Sequence, residues 1–222
     1  MKKEDAAEAE PILQRTMTAL LGTVPTQGRA GAAARLAVGD LTANAEVLLR
    51  SDQAGTPMAD CYNKVRLAGT TWVNFAGVRA VTTAEPASTL GGVLTRHSLI
   101  QLNLAAEARV IADMAFRSRQ EVLALRDELN AAFSAIEEAA TDVMDSTTYL
   151  ALVRLHAAVM AHLIETARPL PRLVRFQFAQ PLTTLLASHR LYDTAARADE
   201  LRAENKVVHP AFMLPAGRAL SA

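Results

Sequence analysis

The residues that could support catalytic or metal chemistry in this chain are five histidines, one cysteine, adjacent carboxylates such as Glu137-Glu138 and Asp199-Glu200, and a Gly-Gly step. His156 and His162 share a helical stretch but stand six residues apart. Helical metal ligands sit three or four apart, on one face. His97, His189 and His209 are scattered, and no His-Glu-x-x-His occurs. Glu137-Glu138 and Asp199-Glu200 are sequence neighbours. Successive helical side chains diverge by about 100°, so neither pair points at one substrate atom. Gly91-Gly92 lacks the Lys-Ser/Thr of a phosphate-binding loop. Cys61 has no partner set, and no Gly-x-Ser-x-Gly is present. The expectation is no catalytic residues, no metal, no cofactor and no enzyme activity.

Composition points the same way. Half of the 222 residues are apolar, enough for a core, and aromatics make up 5%. The 23 Lys and Arg balance the 23 Asp and Glu, and the pI is near 7. General binders of nucleic acid or of anionic membranes carry a basic surplus. A single cysteine cannot form an internal disulfide, so assembly in a reducing cytoplasm is expected. No apolar run reaches about 18 residues, the length that suggests a membrane span. The first residues, MKKEDAAEAEPIL, lack the apolar core of a signal peptide.

The elements that would position side chains are mostly helices. Residues 1–10 read as a charged, frayed start. Pro11 then opens a helix that Gly22 closes, with Ile12, Leu13, Met17, Leu20 and Leu21 inward. A linker follows to Gly28, then one helix from Ala30 to Arg50 carrying Leu36, Leu41, Val47 and Leu48. Pro57 starts a third, with Met58, Cys61, Tyr62, Val65 and Leu67. Residues 71–83 read as a helix on Val73, Ala76, Ala80 and Val81. Leu90 to Asp142 is helical, with a break at Phe116-Arg117-Ser118-Arg119, where Ser118 and Glu121 form a capping pattern. Beyond it, Val122, Leu125, Leu129, Ala132 and Ile136 keep coiled-coil spacing. Asp145 or Ser146 caps the next helix, Tyr149 to Arg168. That helix carries two apolar stripes, Leu150-Val153-Ala157-Met160-Ile164 and Leu152-Leu155-Val159-Leu163, which predicts packing on two sides.

The last fifty residues change character. Val174, Phe176 and Phe178 alternate with Arg175 and Gln177, which predicts a strand. Pro181 opens a helix with Leu182, Leu185, Leu186 and Leu191 inward. Asp193 or Thr194 caps a polar helix from Ala195 to Asn205. His209-Pro210 breaks it, and Pro215-Ala216-Gly217 signals a turn before a final strand. Asn205 suits a left-handed helix end, Gly217 a permissive turn, and Tyr192 and Phe212 offer apolar anchors.

This order, with Arg190-Leu191-Tyr192, Ala198-Asp199-Glu200-Leu201, Asn205, His209-Pro210-Ala211-Phe212 and Pro215-Ala216-Gly217, resembles a LysM module. More closely it resembles the C-terminal region of the Mu-type phage DNA circularization proteins, the N protein family of contractile tails. Two positions depart: no glycine follows Tyr192, and Ala211 stands where the family has glycine. Gly39 to Glu46, Phe116 to Gln120 and Leu170-Pro171-Arg172 extend the resemblance over about residues 30 to 220, without the family's N-terminal domain.

The resulting fold expectation is mainly α: a bundle of long helices followed by a small α+β LysM-like module. The division expected is an N-terminal helix and linker at 1–29, a bundle at 30–169 and the module at 170–222. The resemblance implies a structural virion protein assembled in the host cytoplasm. It would be a baseplate or distal-tube component that joins the tube or hub to neighbouring parts and to copies of itself, without a membrane. Its interface or architectural residues would be Arg190, Tyr192, Asp199, Glu200, Asn205, His209, Pro210, Phe212, Pro215 and Gly217. Two other readings stay open. One is a peptidoglycan-binding module. The other, ranked last on charge, is a DNA-end binder using Arg168, Arg172 and Arg175, with the steep salt dependence that phosphate contacts bring.

Overall fold

The computed structural model describes residues 2–140 and 146–221. Among them are ten α-helices, one 3-10 turn and two strands. The helices are α1 (Lys3–Gly22), α2 (Arg29–Ala43), α3 (Ala45–Arg50), α4 (Gly55–Leu67), α5 (Trp72–Ala84), α6 (Leu90–Ala112), α7 (Arg119–Ala140) and α8 (Ser146–Ala167). Then come β1 (Leu173–Gln177), α9 (Thr184–Tyr192), the 3-10 turn Ala195–Arg197, α10 (Ala198–Glu204) and β2 (Ala216–Leu220). The fold is mainly α, as expected. The chain forms two compact units, one of Met1–Met114 with Leu129–Val159, the other of Ala115–Glu128 with Met160–Ala222.

In the first unit α1 packs on α2, α3, α5 and α6, and α4 packs on α2 and α6. The helix expected to open at Pro11 opens at Lys3 instead, with Pro11 inside it. Proline forfeits one intrahelical hydrogen bond. The first turns are held by contacts from elsewhere in the fold. Ala6 and Ala9 are buried. Glu8 accepts hydrogen bonds from the backbone N–H and hydroxyl of both Ser88 and Thr89, and Asp5 accepts from the Gly91 N–H. Four donors on one carboxylate stabilise its charged form, and the Glu8 carboxyl is lowered from 4.5 to about 2, chiefly by the Thr89 hydroxyl.

The expected single helix over 30–50 is two helices. At Asn44 the side-chain amide donates to the Asp40 carbonyl at 2.8 Å, the bond pattern by which asparagine competes with helix propagation. Leu36 and Val47, read as core, are both 67% exposed. The buried stripe is Ala34, Val38, Leu41, Ala45 and Leu49. Leu67 is likewise exposed beside the buried Met58, Cys61, Tyr62 and Val65. Helix α5 forms where expected, capped by the Thr71 hydroxyl, but it buries Phe75, Val78 and Thr82 and exposes Val73 and Val81. The buried faces therefore mix small or polar residues such as Ala34 and Thr82 with large ones such as Tyr62 and Phe75.

Helix α6 ends at Ala112, and α7 begins after Ser118, whose hydroxyl accepts from the Glu121 N–H while Glu121 accepts from the Arg117 N–H. This is the capping pattern expected at the break. Val122, Leu125, Leu129, Phe133 and Ile136 are the buried residues of α7. Asp142, the expected end of that helical run, and Asp145, one of two expected caps, lie outside the described residues. On α8 the stripe Leu152, Val159 and Leu163 is buried, while Leu150, Ala157 and Ile164 of the second stripe are exposed. The expected packing on two sides is therefore met on one.

The strand, helix, helix, strand order of the last fifty residues is as read, and β1 pairs antiparallel with β2. Leu173 faces Leu220 and Gln177 faces Ala216. Pro181 does not open α9. The Thr183 hydroxyl caps it by accepting from the Leu186 N–H, and Leu182 instead bridges to Met213. Leu185 and Leu186, read as inward, are exposed, while Thr184, Ala187 and Ser188 are buried. Asp193, at φ 55°, ends α9 in the left-handed region, and the Thr194 hydroxyl caps the 3-10 turn by accepting from the Ala196 N–H. The turn read at Pro215-Ala216-Gly217 is already strand from Ala216.

Candidate functional site

Of the residues singled out in the sequence, Asn205 and Gly217 are brought together. The Asn205 carboxamide accepts from the Arg218 N–H at 2.7 Å and donates to the Arg218 carbonyl at 2.7 Å, and it also donates to the Leu201 carbonyl at 2.8 Å. One side chain thus closes the end of α10 and occupies the outer edge of β2, where a further strand would bond. Its backbone is not left-handed, φ being −97°; that conformation belongs to Lys206 at φ 51°. Gly217 does not need a glycine-only φ either. It is needed for space: a Cβ there would stand 2.7 Å from Phe176 Cζ and would collide with Asn205 Oδ1.

The loop between α10 and β2 is tied down by its backbone. The Pro210 carbonyl accepts from the Thr184 N–H at 2.8 Å, and the Pro215 carbonyl accepts from the Phe178 N–H at 2.6 Å. Met213, which is buried, donates its N–H to the Leu182 carbonyl at 3.0 Å. The Phe212 N–H donates to the His209 carbonyl at 3.0 Å, and the two rings lie 5.3 Å apart. Yet Val208 is 90% exposed and Phe212 76%, with Leu214 close behind. The loop is held by its main chain while its largest apolar groups face outward. Because Pro210 is bonded to Thr184, the exposed Leu185 and Leu186 follow directly from the same anchor point.

The remaining expected residues form a second, smaller group. Tyr192 packs against the module's small core of Phe176, Leu182, Ala187, Leu201, Met213 and Ala219. The Arg197 guanidinium lies 4.0 Å over its ring, a cation–π arrangement. Burial pushes the Tyr192 phenol up, opposed by Arg197. Glu200 pairs with Arg197 at 2.7 Å, so it is occupied in holding that arginine. Asp199 is exposed in the first turn of α10 and Arg190 is exposed in the last turn of α9. Neither joins the Asn205–Gly217 group.

Two features escaped the sequence reading. Gln120 accepts from the Leu173 N–H at 2.7 Å and donates to the Leu173 carbonyl at 3.5 Å, which places a second carboxamide on the outer edge of β1. No sequence signal separates this glutamine from any exposed one. In the first unit Glu107 is fully buried and pairs with Arg79 at 2.8 Å, near a buried Asn103 and Tyr62. A glutamate inside an apolar helical stripe is a visible signal for such a pair.

Among the described residues the chemistry-bearing groups stay apart, except that His156 meets Glu137. Among the described residues no group of three His, Cys, Asp or Glu side chains gathers to hold a metal ion. Cys61 is buried and its thiol is pushed up to about 12 by desolvation, so it is inert as a nucleophile. His97 is buried, and its pKa is lowered by burial and by Arg96. His156 bonds Glu137 and Asn130 and stacks on Phe133 with ring centroids 4.8 Å apart, an architectural placement. Compared with models of known protein families and with curated proteins, the chain matches none.

Proposed function

We propose that this chain is a structural part of a contractile phage or phage-like tail, a baseplate or distal-tube component whose C-terminal module docks onto neighbouring tail proteins. The observation that carries the proposal is the loop from Val208 to Leu214, with its main chain bonded at Pro210, Met213 and Pro215 and its large apolar side chains in solvent. An apolar group on a loop already ordered loses little further entropy when a partner covers it, which is the condition for an interface anchor. On α8 the exposed Leu150 supports a second contact, between copies of the chain. Function on this reading is burial of surface between subunits, without a covalent step.

The test is the mass of the purified chain by light scattering, then mixing with isolated tail tube or hub protein. A defined ring or a stable complex, lost on Phe212→Ser, supports the reading. A monomer that ignores tail proteins but sediments with insoluble cell wall overturns it in favour of glycan binding. Binding to duplex DNA that falls steeply with salt overturns it in favour of a DNA-end binder.

A further inference from the structure

The two strands of the C-terminal module have two outer edges, and they are not equivalent. The Arg172 carbonyl accepts from the Ser221 N–H at 2.7 Å, and the Phe178 N–H donates to the Pro215 carbonyl at 2.6 Å. Antiparallel bonding alternates with period two, so even-numbered residues of β1 bond β2, and the backbone of Leu173, Arg175 and Gln177 points to the outer edge. At Leu173 that edge is taken by the Gln120 carboxamide. At Arg175 and Gln177 it is not. Both residues are exposed, and neither backbone has a hydrogen-bond partner on that side among the described residues. On β2 the corresponding outward position, Arg218, is closed by Asn205.

Charge marks the same edge. Arg175 stands directly across from Arg218 in a pair that does not share hydrogen bonds, the closer of the two antiparallel spacings. Like charges so placed repel. Arg218 has Glu204 at 3.7 Å. Arg172 and Arg175 are exposed with no carboxylate partner among the described residues. A shallow concavity of about 460 Å³ lies along Arg175, Phe176, Gln177 and Ala216, Gly217, Arg218.

We infer that the open edge of β1 at Arg175–Gln177 receives an extended, acidic segment of a partner protein as a third strand, its carboxylates set on the face that carries Arg175 and Arg218. An edge that offers N–H and C=O groups by turns matches a peptide backbone. It does not match a phosphate chain, which would meet the carbonyls as repulsive groups. A second copy joined edge to edge would bring its own unpaired arginines against these, so like charge disfavours self-pairing. The Gln120 carboxamide already bonded at Leu173 shows the edge taking a planar amide in this position. The inference rests on the module being a docking part, and it adds the kind of partner.

The experiment uses the full chain and two capped peptides, alternating Glu with Val or Lys with Val, followed by amide NMR shifts and hydrogen exchange at Arg175 and Gln177. The acidic peptide is expected to bind, to slow exchange at these two amides, and to weaken with salt. Gln177→Pro removes one outward N–H at an edge position where proline is tolerated, and it should weaken binding by about tenfold or more. Arg175→Glu leaves the backbone intact and should remove the preference for the acidic peptide. No protection by the acidic peptide, equal binding of both peptides, or preferential binding of a short DNA duplex at this edge would overturn the inference. Those failures leave ring or hub assembly through Phe212 unaffected, so they are distinguishable from failure of the docking role itself.

Discussion

The first unit and the C-terminal module solve the same problem by opposite means. The first unit buries large groups, among them Leu13, Met17, Leu20, Phe75 and Leu99, in one broad core, although Leu36, Val47, Leu67 and Val73 stay exposed. The module buries six residues in its core and leaves Val208, Phe212 and Leu214 outside. It makes up the difference with side-chain amides and hydroxyls on backbone groups: Asn205 on Arg218, Gln120 on Leu173, and Ser188 on the Thr194 carbonyl. The module had apolar material for a larger core and displays it instead, which is what the proposed docking role requires. The order of these dependencies can be tested by mutation.

The largest effect is expected where apolar burial dominates. Phe75→Ala should destabilise the first unit by about 3–5 kcal/mol, read by denaturant unfolding. In the module, Asn205→Ala should cost about 1–3 kcal/mol, because it removes three hydrogen bonds and bares the β2 edge. Hydrogen exchange at Arg218 should accelerate, with Phe75's unit unaffected. Gly217→Ala should act at the same place by steric conflict, so the double variant with Asn205→Ala should fall short of the sum of the singles.

Third comes the clasp between α1 and α6. Glu8 sits at about 2 against an ordinary 4.5. A carboxyl lowered on folding contributes stability that is complete above its unfolded value and is lost as pH falls through the folded one. The first unit should therefore lose stability between pH 4.5 and about 2, and Glu8→Gln should flatten that part of the profile. The smallest effect on stability is expected at Phe212→Ser, within about 0.5 kcal/mol. The same variant should abolish assembly. If instead it unfolds the module, the loop is core and the contrast between the two regions fails.

Much of the architecture was legible in the sequence because periodicity and punctuation are local signals. The alternation at Val174–Phe178, the Ser118–Glu121 cap and a helix over 71–83, formed at Trp72–Ala84, were all visible. The faces were less so. Leu36, Val47, Val73 and Leu185 were read inward because they are large, but the neighbouring helices admit Ala34, Val38, Thr82 and Ala187. Size marks what could be buried, whereas the distance between elements decides what is. Asn205 and Gly217 stood out by type, but their roles did not. Asn205 matters through a residue thirteen positions later, and Gly217 through the ring of Phe176, contacts that exist only after β1 and β2 have paired. Gln120 and Leu173, 53 positions apart, could not be matched at all.

The three hydrogen bonds on the Asn205 carboxamide also bear on how the protein ages. Asparagine deamidates when the amide nitrogen of the next residue attacks the side-chain carbonyl carbon, expelling ammonia through a cyclic imide. Here that next residue is Lys206, and the carboxamide is held on Leu201 and on both polar groups of Arg218. It cannot turn toward its own following nitrogen without releasing the strand. Deamidation at Asn205 would therefore require the module to open, and it would replace a donor with a carboxylate that faces the Arg218 carbonyl. Aspartate or isoaspartate formed at this position would then report the opening of the ribbon.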